Sequence, residues 1–250
     1  MKTPLHSAAL PLVLLAAPAC IIHVSGDGFH WGYDGSEYES HSETIAVASF
    51  GDAGLTIPEC TGDVTIAPSS EGSSIVVQVG EREAGDAHAV FENGKLLVRS
   101  ASGEQAFLGE VRVRVYGTLA ALDVTTRAGD VRLTDVSVER SVKIASGAGD
   151  LEVHGIGAPE HVALSSGAGD VEMTRAHFAT LEASSGAGDL VVAELEGGDA
   201  KFSSGAGDVA LRRSHFDRLD ASTGVGDISC EEVTYATSDF SSGSGSIPRR

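Results

Sequence analysis

Residues 165–171 read Ser165-Ser166-Gly167-Ala168-Gly169-Asp170-Val171, and nearly the same words return as Ser184-Ser185-Gly186-Ala187-Gly188-Asp189-Leu190 and Ser203-Ser204-Gly205-Ala206-Gly207-Asp208-Val209. Working outward, the turn appears earlier as Arg127-Ala128-Gly129-Asp130 and Gly147-Ala148-Gly149-Asp150. It appears later as Gly224-Val225-Gly226-Asp227, and in altered form as Gly243-Ser244-Gly245-Ser246. Successive aspartates lie 20, 20, 19, 19 and 19 residues apart, and Ser246 follows Asp227 by another 19. A fixed period of this length is the mark of a stacked repeat.

Aligned on the aspartate, the columns separate into inward and outward positions. One residue after it stand Val131, Leu151, Val171, Leu190, Val209 and Ile228, and three after it Leu133, Val153, Met173, Val192, Leu211 and Cys230. On the other flank come Leu122 and Val124, Val142 and Ile144, Val162 and Leu164, Leu181 and Ala183, Ala200 and Phe202, then Leu219 and Ala221. Spacing of two on both sides means strand, turn, strand with one face inward. The next inward position is a hydroxyl in every repeat, from Thr126 through Ser146, Ser166, Ser185, Ser204 and Thr223 to Ser242. So short a unit buries no core alone, but parallel coils stacked about 4.8 Å apart share a continuous one. The fold class is therefore all-β, a parallel β-helix or β-solenoid with coils of 19–20 residues. A leucine-rich repeat has similar length, but its Leu/Asn framework does not appear.

The rest of the chain divides around these coils. Lys2, the apolar run Leu10 to Ala17 and the small residues before Cys20 make 1–19 a secretory signal peptide. Cys20 is then either a lipidation site or simply near the point of cleavage. Residues 20–43 are polar and acidic, with irregularly spaced His23, His30 and His41, and read as a flexible tether. The solenoid domain spans 44–250, with an irregular part over 44–126 and regular repeats over 127–250. In the irregular part Ile45-Val47, Leu55-Ile57, Val64-Ile66, Ile75-Val77, Leu96-Val98 and Val111-Val115 read as strands. Asn93-Gly94 is a two-residue turn that predicts an antiparallel hairpin.

Composition narrows the partners. Against 36 Asp+Glu stand 17 Lys+Arg, a net charge of −19, which argues against nucleic acid because phosphate binding depends on basic side chains. No apolar run reaches the roughly 18 residues of a spanning helix, so membrane attachment is expected only through a lipid on Cys20.

These Ser-Gly-x-Gly-Asp-Val/Leu turns resemble the bacterial putative-adhesin domains of unknown function, which are related to the head domain of putative autotransporter adhesins. The likeness runs from about Thr44 to the C-terminus, with Leu55 to Val64 matching an early strand and Gly-Asp turn. It implies a right-handed β-helix and an envelope or surface location.

In-register stacking sets Asp130 to Asp227 along about 24 Å, where neighbouring charges repel by about 1 kcal/mol per pair in water. Each carboxylate is expected to accept amide hydrogens of its own turn. The alternative is calcium held between rungs, with Asp150, Asp170, Asp189 and Asp208 as candidate ligands. The calcium-binding nonapeptide repeat has a different spacing, so the capping reading is preferred and no cofactor is assigned.

Cys60 and Cys230 lie too far apart in a linear stack for a disulfide, which predicts two unbridged thiols with Cys230 inward. His177 and His215 share a column interrupted by Glu196-Gly197, Glu231-Glu232 face opposite ways in a strand, and no nucleophile elbow exists, so no catalytic residue is assigned. The function expected is a non-catalytic, exported envelope or cell-surface solenoid for adhesion, scaffolding or protein contact. The alternative is a polysaccharide-binding or polysaccharide-processing β-helix, with or without calcium. The partner is thus an unidentified protein or glycan at the cell envelope.

Overall fold

The computed structural model describes residues 22–25, 31–33, 36–157 and 159–248. Residues 1–19, read above as a signal peptide, and Cys20 and His30 lie outside the described residues. Every regular element among those described is a strand.

Near the N-terminus, β1 (Ile22–Ser25) and β2 (Trp31–Tyr33) pair antiparallel with β3 (Ser36–Val47). The first coil is then laid by β4 (Leu55–Cys60), the Gly62-Asp63 turn and β5 (Val64–Pro68). Before the second coil the chain makes a cap from β6 (Ser73–Glu81), the hairpin β7 (Ala87–Glu92) and β8 (Lys95–Ser100), and β9 (Phe107–Val115). Strand β6 lies antiparallel between β3 and β9, and β9 in turn pairs parallel with β5. Asn93 and Gly94, at φ of 51° and 78°, form the hairpin turn expected from the sequence.

From there the winding is regular. The second coil is β10 (Leu119–Thr126) and β11 (Val131–Thr134), and the third is β12 (Val138–Ser146) and β13 (Leu151–His154). Strand β14 (His161–Ser166) opens the fourth, after which β15 (Val171–Ala187) and β16 (Leu190–Ala206) each run through two coils. Then come β17 (Val209–Arg212), β18 (His215–Val225), β19 (Ile228–Glu231) and β20 (Thr234–Ser244). Among themselves all pair parallel, in register apart from one shift between Leu119 and Ala121 where β10 meets β12. Leu55 lies beneath Leu122, Val142, Val162, Leu181, Ala200 and Leu219, and Val64 beneath Val131, Leu151, Val171, Leu190, Val209 and Ile228. These stacked columns are the core: every residue named in the two rows is buried. Burying one such Leu or Val stabilises by about 1.5–3 kcal/mol, repeated at each level.

Two boundaries differ from expectation. The regular coils begin at β4, not at 127, because residues 69–118 are an insertion between the first and second coils. The tether does not reach residue 43 either: Glu39 to Val47 pair with β6. Its polarity suggested solvated chain, yet His41, Glu43, Ile45 and Val47 alternate onto one inward face, and Glu43 is fully buried. Buried polar partners, invisible in the local sequence, hold that end of the strand.

A second corner in each coil had no sequence signal. Asp135, Arg175, Glu194, Arg213 and Glu232 share one column with Gly155, and all five non-glycine residues have φ between +44° and +58°. Such a conformation costs roughly 1–2 kcal/mol per residue. Hydrogen bonds between coils help offset it, for example Asp135 N–H to His154 O at 2.8 Å and Arg213 N–H to Glu231 O at 2.9 Å.

Candidate functional site

The Gly-x-Gly-Asp turns stack into one exposed edge. The third turn position, from Gly129 to Gly245, and the first position from Gly147 onward are glycine for reasons of space; Arg127 stands at the first position of the Asp130 turn. A Cβ on Gly186 would lie 2.4 Å from the carbonyl oxygen of Gly167, and one on Gly188 2.2 Å from that of Gly169. With the backbones so close, the hydroxyl column can reach across coils. Ser146, Ser166, Ser185, Ser204, Thr223 and Ser242 each donate to the third-position glycine carbonyl of the coil before, at 2.8–3.0 Å.

The aspartates form a second ladder. Asp63 Oδ1 accepts from the amide of Asp130 at 3.0 Å, Asp130 from Asp150 at 2.9 Å and Asp150 from Asp170 at 2.8 Å. Asp170 accepts from Asp189 at 2.8 Å, Asp189 from Asp208 and Asp208 from Asp227 at 2.7 Å, and Asp227 from the amide of Ser246 at 2.7 Å. This corrects the expected bond: each carboxylate caps the next turn, not its own. In-register stacking brings the following amide within reach of the side chain. The ladder also gains a seventh member, Asp63, which sequence spacing concealed because the insertion separates it from Asp130.

All seven aspartates remain exposed. Each uses Oδ1 inside the stack, so what the edge can offer chemically is a straight row of negative charge on a fixed backbone. Asp150, Asp170, Asp189 and Asp208 are all in that row.

The other candidates are scattered. Cys60 and Cys230 are free thiols. Cys60 stands at the head of the hydroxyl column, paired with Thr126, and burial pushes its thiol pKa up. His177, Glu196 and His215 are in register and exposed. Beneath them Phe178 and Phe216 stack at 6.4 Å between centroids, in the space that Gly197 leaves open between them. The histidine column is thus the outer side of a packing feature. Glu231 and Glu232 straddle the second corner and are not brought together as an acid/base pair.

What sequence reasoning missed lies in the cap. Glu43, on β3, and Glu81, at the end of β6, are 0% and 3% exposed. Glu43 Oε2 accepts the amide of Ala89 at 2.7 Å, and Oε1 faces His41 Nε2 at 3.0 Å and His88 Nδ1 at 2.8 Å. Glu81 accepts the amides of Gly85 and Ala87 at 2.8 and 2.7 Å. Burial pulls the Glu81 pKa up, but these amides and the His41 ring outweigh it and hold the carboxyl below its ordinary value. The available signal was the two-residue alternation of His41, Glu43, Ile45 and Val47.

With this geometry in view, the comparisons agree on architecture. Residues 157–248 match the family model described as Toastrack DUF4097. Comparison with curated proteins gives no match. Among solved structures, the chain is similar to a "putative adhesin" from Bacteroides fragilis NCTC 9343, with 16% identity over 83% of this chain and 95% of that one and a TM-score of 0.51. A "putative adhesin" from Parabacteroides distasonis ATCC 8503 gives 13% identity, 83% and 96% coverage and a TM-score of 0.50. A "putative lipid binding protein" from the same organism gives 11%, 84% and 97%, and 0.51. At such identities the likeness is one of fold, the β-solenoid.

Proposed function

We propose, from the Toastrack DUF4097 domain of residues 157–248 as premise, that the chain is a non-catalytic cell-surface solenoid that presents its acidic edge to a partner. The observation that carries this is the aspartate ladder, because it combines exposure, single-sign charge and rigidity. Flexible acidic side chains lose conformational entropy on binding, whereas these are already ordered by the coil above. Two neighbouring folds named as adhesins support the reading. The signal-like residues 1–19 supply export, and a lipid on Cys20 would supply the anchor. In this reading the carboxylates cap turns and need no calcium.

The test separates charge from capping. Replacing Asp150, Asp170, Asp189 and Asp208 with Asn keeps an Oδ1 acceptor on each turn and removes four charges. Cells lacking the protein are complemented with wild-type or substituted chain and scored for surface labelling by a membrane-impermeant reagent and for attachment to protein- and glycan-coated surfaces. The expected result is surface labelling for both chains and attachment restored by the wild type alone. Inaccessible chain in intact cells, or attachment equal with and without the gene, would contradict the proposal. A fall in wild-type melting temperature on adding a chelator would return calcium to the aspartate row.

A further inference from the structure

We propose that the cap holds a divalent transition-metal ion, of the zinc class, on His41 Nε2, His88 Nδ1 and Glu43 Oε1, with Glu81 as the carboxylate that orients His41. The three ligand atoms all lie within 4.8 Å of one another, and Glu43 Oε1 is 2.8–3.0 Å from each nitrogen. Bonds of about 2.0–2.1 Å in a tetrahedral site put ligand atoms roughly 3.3 Å apart. The two carboxylate–imidazole distances therefore need to open by only about 0.3–0.5 Å, while the two nitrogens, within 4.8 Å of each other, close by at most about 1.5 Å, a movement that the half-exposed His88 side chain can supply.

Hydrogen bonding points the same way. Both carboxylates accept two backbone amides or an amide and an imidazole, which is an ionised pattern, and both are out of water. Buried carboxylates are costly without positive charge beside them. His41 is placed between them: Nε2 faces Glu43 Oε1, and Nδ1 lies 3.0 Å from Glu81 Oε1. That second contact is too far off axis to be a hydrogen bond, and Nδ1 is a buried polar atom without a hydrogen-bond partner. A neutral His41 with its proton on Nδ1 turns the Nε2 lone pair toward Glu43 and His88. An ion there takes both imidazole lone pairs and Glu43, and the small ring rotation that seats it turns the Nδ1 proton onto the Glu81 carboxylate 3.0 Å away, the usual way a metal-bound imidazole is held. His88 is about half exposed, 54% for its side chain, so the fourth coordination position opens to solvent.

The site is independent of the acidic edge: its ligands come from β3 and β7, whereas the edge is built from the turns of the coils. A metal there would tie the start of β3 to the hairpin of the cap.

The test titrates purified, metal-free full-length chain with Co²⁺ and Zn²⁺ alone, reading Co²⁺ visible absorption and melting temperature. One Co²⁺ per chain with the intense visible bands of a four-coordinate ion, displaced by Zn²⁺, is the expected result. His88→Ala, at a half-exposed position, should keep its circular dichroism and lose at least ten-fold in affinity, and Glu81→Gln should lose roughly ten-fold. His41→Ala serves as a second ligand variant. Weak, non-stoichiometric binding by the wild type would overturn the proposal. So would binding that His88→Ala and His41→Ala leave unchanged, which would place the ion elsewhere in the chain.

Discussion

In the coils, a polar contact once made is made again 19 or 20 residues later. Ser185 to Gly169, Ser204 to Gly188 and Thr223 to Gly207 are one bond written three times, and the aspartate ladder repeats likewise. In the cap each buried polar contact occurs once: Glu43 with Ala89 and His88, Glu81 with Gly85 and Ala87. Repetition restricts the coils to residues that fit between backbones a strand spacing apart, namely Gly, Ser and Asp. A contact made once is free to use any pair of residues that meet, so the cap can carry chemistry that the coils repeat past. The coils suit display, and the cap suits a site.

The largest effect separating the two regions should come from glycine. Gly188→Ala forces a Cβ against the Gly169 carbonyl and should cost about 2–4 kcal/mol, read as a lower urea midpoint. Gly85→Ala in the cap, at φ +81° but with nothing within 4 Å of the new Cβ, should cost only about 1 kcal/mol. Equal costs would remove the distinction between crowded and open turns.

An intermediate effect is expected from the hydroxyls. Ser166→Ala, Ser185→Ala and Ser204→Ala should each cost about 1 kcal/mol, and by nearly the same amount, because each leaves an equivalent glycine carbonyl without its donor. Ser100→Ala in the cap, whose hydroxyl bonds the half-buried Asp86 where water can replace it, should cost less, about 0.5 kcal/mol, in the same urea titration. Widely different values down the column would mean that the coils are not equivalent.

The smallest effect belongs to a pair that joins the second and third coils on their outer surface. A hydrogen bond from Arg132 holds Glu152 below the usual carboxylate range, against a small opposing effect of burial. A lowered folded pKa contributes stability above the unfolded value of about 4.3 and loses it as pH falls through the folded value. The Glu152 carboxylate is 35% exposed, so the contribution is at most about 0.5–1 kcal/mol. Glu152→Gln should therefore lower stability slightly at pH 7 and match the wild type near pH 3. A constant difference across that range would assign the effect to packing.

How much of this was legible follows the same division. The inward columns, the parallel stacking, the Asn93-Gly94 hairpin and the separation of Cys60 from Cys230 could be read because period and alternation are local properties of a sequence. The direction of the aspartate bond was not, since own-turn and next-turn capping use the same residues and differ only in three dimensions. The corner at Arg175, Glu194 and Arg213 was hidden because left-handed backbone there is enforced by neighbouring coils and not by glycine. His41 and Glu43 were hidden by their company: a polar, acidic run looks solvated until β6 and β7 cover it.

The stacked ladder depends on each carboxylate reaching the next coil, and amide hydrogen exchange followed by NMR in Asp170→Ala tests this most directly. The amide of Asp189, bonded to Asp170 Oδ1 at 2.8 Å, should exchange faster, while the amide of Asp170, held by Asp150, keeps its protection. Unchanged exchange at Asp189, with protection lost inside the turn of Asp170 itself, would contradict the stacked ladder.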